Sequence, residues 1–261
     1  MFDLTGRVAV VTGGSSGLGV VFAKALARQG ADIVLLARRK ELLRSVSSEI
    51  ENMGRKCMYV TCDITDTADL DKAVLEIEKR FERVDILVAN AGVQEIGPSE
   101  KFDDEKWNKV VDTDLTGVFK TVRVFAGKFM IPQKYGRIIS ISSMYGIVGN
   151  NSGSFGDVLP MYSQYIAYHA SKAGVINLTR ALGAEWAKYN ITVNCIAPGY
   201  IASGFSDAIV PEFENVLKVY CPMKRLGRTD ELESAIIYYA CDESSFTTGT
   251  TLAIDGGWTA I

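Results

Sequence analysis

A glycine-rich turn set between an apolar run and a helical pattern restricts this chain's fold more than any other feature. Val8-Ala9-Val10-Val11 has no polar alternation, as expected of a short strand buried on both faces. Thr12-Gly13-Gly14-Ser15-Ser16-Gly17-Leu18-Gly19 follows, and Val20, Val21, Ala23, Leu26 and Ala27 then recur at helical spacing up to Gly30. Glycines at 13, 17 and 19 let the backbone come close to a pyrophosphate and aim a helix N-terminus at it. The plain alternative is an ordinary strand-to-helix turn, which a chain with 24 glycines can produce by chance.

The same alternation continues. Apolar runs at 32–37, 57–62, 86–89, 137–141, 191–197 and 251–254 predict short buried strands. Helical patterns occupy 40–53, 70–81, 105–130, 167–189 and 231–241, with Asp66 suited to a helix start and Gly54 to a stop. Strands alternating with helices predict an α/β fold: a doubly wound, Rossmann-type parallel sheet with helices on both faces, in one domain over 1–261. Two stretches break the rhythm, 146–160 and 198–222, both just after strand ends, where open parallel sheets bind ligands. The second carries Phe205, Ile209, Val210, Phe213, Val216 and Leu217, and is read as a lid at 200–220 with its apolar side toward the site.

Composition narrows the partners. Net charge −3 leaves no footprint for nucleic acid. The first residues lack the layout of a signal peptide, and no apolar run approaches the ~18 residues of a membrane span. Five cysteines without a CxxC pair read as thiols of a reducing compartment, so a cytoplasmic location is expected. A lone histidine, His169, cannot build a metal site, and none is expected.

Tyr168 and Lys172 lie four apart and share a helix face. An ammonium beside a phenol favours the phenolate, which suits a group that exchanges a proton with a carbonyl or alcohol oxygen. Tyr162 and Tyr165 meet Ile166 and His169 at the same spacing, not lysine. With the glycine turn, this points to hydride transfer coupled to a proton relay.

The ordered motifs together resemble the short-chain dehydrogenase/reductase family, in the style of its gluconate 5-dehydrogenase-like and 3-oxoacyl-reductase-like branch. The resemblance runs from Leu4 to Trp258. It implies cofactor contacts at Gly13, Ser15, Ser16, Gly17, Leu18 and Gly19 and an adenine-holding carboxylate at Asp63, beside Ile64. It implies further contacts at Asn90-Ala91-Gly92, where Ala89 replaces the usual first Asn, and at Pro198-Gly199 with Ile201. Asp255-Gly256-Gly257 fits the family's C-terminal strand ending. Ser143, Tyr168 and Lys172 match the catalytic serine and YxxxK, with Lys172 also holding the nicotinamide ribose. The long helices around 107–130 and 168–186 are those by which family members pair, so a homotetramer or homodimer is expected.

Two departures matter. Where the family carries an Asn that holds a relay water, this chain has Asp114, in Asp112-Thr113-Asp114-Leu115-Thr116-Gly117. It either still holds the relay, with altered pH dependence, or is only a structural carboxylate. After the second strand, Ala37 stands where NAD-type members carry an acid, and Arg38 and Arg39 follow. A guanidinium pairs with phosphate, so NADP(H) is preferred; were the arginines only solvated, NAD(H) would serve too. The expected substrate is a small polyol, ketose or keto sugar acid, with a hydroxysteroid or a 3-oxoacyl thioester as alternatives. A cofactor-binding protein without turnover is the rival of another class.

Overall fold

In the computed structural model, residues 1–149, 165–203 and 217–261 are described. Seven parallel strands form one sheet in the order β3-β2-β1-β4-β5-β6-β9. They are β1 (Val8–Thr12), β2 (Asp32–Ala37), β3 (Cys57–Thr61), β4 (Ile86–Ala89), β5 (Gly136–Ile141), β6 (Ile191–Pro198) and β9 (Thr251–Ile254). β7 (Ile201–Ala202) and β8 (Gly227–Arg228) pair separately beside it. The helices are α1 (Gly17–Arg28), α2 (Lys40–Asn52), α3 (Thr67–Arg80), α4 (Asp104–Val111), α5 (Val118–Phe125), α6 (Ile131–Gln133), α7 (Ile166–Trp186) and α8 (Glu233–Ala240). The predicted single-domain, doubly wound fold is what the chain forms.

Alternate residues of each strand feed opposite cores. Val8 and Val10 join Val34, Leu36 and Leu87 in a layer closed by Leu70 and Ile77 of α3, Val122 and Phe125 of α5, and Val175 and Ile176 of α7. Ala9 and Val11 join Ile33, Leu35 and Val88 under Phe22 and Leu26 of α1, Leu43 and Ile50 of α2, and Ile236 of α8. Burial on both faces explains why the central strands read as unbroken apolar runs. Helix ends follow local chemistry: the Asp66 carboxylate accepts from the Ala68 N–H at 2.7 Å and caps α3.

The predicted helix 105–130 forms as one helical run, Asp104 to Gln133, but its winding is not uniform. α4 and α5 are joined by a wide, π-type turn over Asp112–Gly117, and another follows at Ala126–Met130. Apolar periodicity does not register such a turn, because the flanking helical faces stay buried; its effect is to re-aim the residues inside it. Asp114 is turned inward and is 0% exposed.

At the amino end of the sheet, a second buried carboxylate ties strands together. Asp85 accepts from the Val8 N–H at 2.9 Å, from Arg7 Nη1 at 3.3 Å and from Arg83 Nε at 2.9 Å, and it is 0% exposed. The Arg7 and Arg137 guanidiniums lie over the Tyr135 ring at 4.2 and 4.4 Å, and both bond Asp242.

Candidate active site

β1 pairs with β2 on one side and β4 on the other, so the chain's winding direction reverses between β1 and β4. A crevice opens there at the carboxyl ends of the strands. It is a cleft of about 800 Å³, lined by the glycine turn at one end and by Ser143, Tyr168 and Lys172 at the other. Thr12 holds its two rims together. The Thr12 hydroxyl accepts from the Asn90 and Ala91 N–H groups at 3.0 and 3.1 Å, and Asn90 Nδ2 donates to the Thr12 carbonyl at 3.0 Å. Gly13 has φ +66, and a Cβ there would stand 2.8 Å from Asn90 Nδ2, so only glycine allows this approach.

Every residue singled out for cofactor contact lines the cleft, with one correction. Gly19 does not face it. It packs beneath the turn, where a Cβ would collide with the Gly13 carbonyl, so its task is close packing of helix on strand. Arg39 reaches back to the turn, donating to Ser16 Oγ at 2.5 Å and to Ser15 Oγ at 3.4 Å. Arg38 is turned instead toward Asp63, 3.9 Å away, and its side chain is 69% exposed.

Ser143 lies two residues beyond β5 and opens a short turn, its hydroxyl accepting from the Tyr145 N–H at 3.2 Å. Tyr168 and Lys172 face it from the first turns of α7, with Lys172 Nζ 5.2 Å from the Tyr168 ring centre. Lys172 is held at both ends: its carbonyl accepts from Ser142 Oγ at 2.8 Å, and its ammonium donates to the Ile141 carbonyl at 3.2 Å. Asp114 Oδ2 lies 3.1 Å from the same ammonium, while Oδ1 accepts from the Val93 N–H at 2.7 Å. Oδ2 is fully buried, and its contact with the lysine is an ion pair lacking hydrogen-bond alignment.

The electrostatics differ from the simple phenol–ammonium pair. Burial pushes the Tyr168 phenol up; Lys172 and Ser143 draw it down, Asp114 pushes it up again, and the net direction is upward. Burial is the largest influence on Lys172 and pulls it down, but Asp114, Tyr168 and Cys195 together more than offset it, and the lysine ends above its ordinary value. Lys172 does draw the phenol down, as expected, although it is not the largest influence on it. Its downward pull is present, but burial and Asp114 offset it.

One pocket wall brings Tyr145, a neighbour of Ser143 in sequence, together with partners that no spacing ties to it. The Tyr145 and Tyr200 hydroxyls hydrogen-bond to each other, and Tyr200 meets Trp258 edge-on at 5.4 Å. His169 lies against the Tyr145 ring at 4.5 Å, with Nδ1 on the Tyr165 carbonyl. These residues are far apart in sequence, so no spacing signals the wall. Residues 150–154, Tyr162 and most of the expected lid, including Phe205, Ile209, Val210, Phe213 and Val216, lie outside the described residues; Leu217 is buried against Tyr200 and Trp258. Among the described residues there is no cluster able to hold a metal ion and no helix long and apolar enough to cross a membrane.

Residues 7–213 match the short chain dehydrogenase family. The chain belongs to that family. Its relatives place it in the branch expected from the motifs. A sorbose reductase from Candida albicans is 36% identical over 261 residues, covering 99% of this chain and 89% of that protein. A 3-oxoacyl-[acyl-carrier-protein] reductase from Thermotoga maritima is 32% identical, covering 97% and 98%. The crystal structure of a putative gluconate dehydrogenase from Agrobacterium tumefaciens superposes with a TM-score of 0.92 at 33% identity, covering 100% of this chain and 98% of that one. As a short-chain dehydrogenase, the chain is an oxidoreductase acting on CH–OH and C=O groups, and its family uses nicotinamide cofactors. The cleft has room for such a cofactor: at Gly17, which lines it, a Cβ would meet nothing within 4 Å, and the Arg39–Ser16 pair offers donors to an anionic group.

Proposed function

We propose an NADP(H)-preferring reductase/dehydrogenase that interconverts a secondary alcohol and a ketone on a small polyol, ketose or keto sugar acid. The observation that carries it is the meeting of Ser143, Tyr168 and Lys172 in the cleft that begins at the glycine cradle. The nicotinamide, when bound, supplies or takes the hydride. In reduction, Tyr168 gives its phenolic proton to the carbonyl oxygen; in oxidation it takes that proton back as phenolate. Ser143 donates a hydrogen bond to the same oxygen, where negative charge develops. Lys172 stabilises the phenolate and binds the nicotinamide ribose. Gly13, Ser15, Ser16, Gly17, Leu18, Asn90, Ala91, Gly92, Pro198, Gly199 and Ile201, which line the cleft, would hold the rest of the cofactor, and Asp63 and Ile64 would hold its adenine.

NADP(H) preference is supported by the absence of a carboxylate at the end of β2 and by two guanidiniums there. Arg39, already on Ser16, is as well placed for a 2′-phosphate as Arg38. A hydroxylated substrate is supported by the paired phenols of Tyr145 and Tyr200 in the cleft wall. The whole chain is proposed to work as one catalytic unit with a lid at 200–220. An assembly of two or four copies fits the exposed Trp107 and Phe119 on α4 and α5 and the fully exposed Phe246 near the edge strand β9. Five unpaired thiols fit a reducing cytoplasm.

The test is consumption of NADPH and of NADH with ketoses, keto sugar acids, 3-oxoacyl thioesters and keto-steroids, together with the reverse reactions. Turnover of ketoses or keto sugar acids with NADPH ahead of NADH is the expected result. Turnover confined to thioesters or steroids overturns the substrate, and equal use of both cofactors overturns the preference. Tight NADPH binding without turnover on any of them favours a cofactor-binding protein.

A further inference from the structure

We propose that Asp114 is the counter-ion of Lys172 and, acting through it, is a positioning residue that sets the pH range in which Tyr168 exchanges its proton. This rests on the hydride-transfer reading above. It replaces the expectation of a carboxylate holding a relay water with that of a charge opposing the lysine's.

The geometry is specific. The wide turn at Asp112–Gly117 carries Asp114 to 0% exposure, and the Val93 N–H fixes one oxygen at 2.7 Å. That leaves the other oxygen 3.1 Å from an ammonium that is itself buried and whose remaining acceptor is the neutral Ile141 carbonyl. A buried pair of this kind is neutral as a unit, so the lysine acts on the phenol more weakly than an unpaired ammonium would. The other groups near the pair are uncharged at working pH. Ser143 faces from two residues beyond β5. Cys195 faces from β6, its thiol pushed up to about 11 by burial. Burial also pushes the Tyr145 phenol up, and it lowers His169, which keeps that ring neutral. Among the described residues, Lys172 and Asp114 are therefore the charges acting on Tyr168.

Asp114→Asn keeps the shape and the bond from Val93 while deleting the charge. Lys172 then acts on the phenol unopposed, and Tyr168 ionises at lower pH. Oxidation needs the phenolate, so the acid limb of its kcat/KM profile moves to lower pH. At pH values below the parent limb, oxidation rises about tenfold. Reduction needs the phenol, so its alkaline limb moves to lower pH as well. A residue with only a structural task changes plateau heights and leaves both limbs where they are. Asp114→Ala also loses the bond to Val93, and is expected to show the same displacement with a lower plateau.

The experiment records both pH profiles for the parent, Asp114→Asn and Asp114→Ala. It also titrates tyrosinate absorbance in the cofactor-free proteins, isolating Tyr168 by difference from a Tyr168→Phe partner of each. Limbs and titration displaced together to lower pH are the expected result. Limbs that stay in place, or a plateau loss of about a hundredfold in Asp114→Asn without displacement, overturn the proposal. A displaced titration in a protein that turns over nothing leaves the counter-ion standing and removes the hydride-transfer reading. Turnover with an unmoved titration does the reverse.

Discussion

The two ends of the sheet each bury a carboxylate, and they treat it differently. At the amino end Asp85 is surrounded by donors: one backbone N–H, Arg7 and Arg83. At the carboxyl end Asp114 has one backbone N–H and one lysine, and its second oxygen lacks an aligned hydrogen bond. A buried charge with all its acceptor positions filled ties strands together and has nothing left to offer. One left partly unfilled has its charge answered chiefly by the neighbouring ammonium. At the amino end the carboxylate serves the fold; at the carboxyl end it sits among the residues of the candidate site.

The largest expected effect is at the carboxyl end. Tyr168→Phe should lower kcat by about a thousandfold while leaving the melting temperature within a degree or two, measured by steady-state kinetics and calorimetry. Asp85→Ala should do the opposite. It leaves the buried Val8 N–H without its acceptor and removes the carboxylate between Arg7 and Arg83, costing about 2–3 kcal/mol and lowering Tm by roughly 5–10 °C with kcat unchanged. If Asp85→Ala cut kcat as deeply as it cut stability, the division between the ends would be wrong. Arg38→Ala and Arg39→Ala should each raise KM for NADPH about tenfold and leave that for NADH within twofold; equal effects on both would remove the argument for a 2′-phosphate contact. Asp242→Asn should matter least. Its side chain is 59% exposed and an amide still accepts from Tyr135, so about 0.5 kcal/mol is expected in a denaturant titration.

Much of this was legible in the sequence because it is local. The buried strands, the glycine cradle and the four-residue step from Tyr168 to Lys172 depend on neighbours along the chain, and the ordered motifs placed Ser143 with them. What escaped was long-range. The Thr12 hydroxyl serves Asn90 and Ala91, 78 and 79 residues away, and Ser142 holds the Lys172 carbonyl across 30 residues. The Tyr145–Tyr200 pair spans 55. The departure at Asp114 was visible; its contact with Lys172 depends on a wide helical turn that leaves the apolar periodicity intact.

The clamped state of Lys172 has a further consequence. A lysine side chain normally gives up about 2 kcal/mol of rotamer freedom when it is fixed in one conformation. Here the Ile141 and Asp114 contacts have already taken that freedom away during folding. The ammonium therefore meets each arriving molecule as a stationary target, and little affinity is lost to ordering it at the moment of encounter.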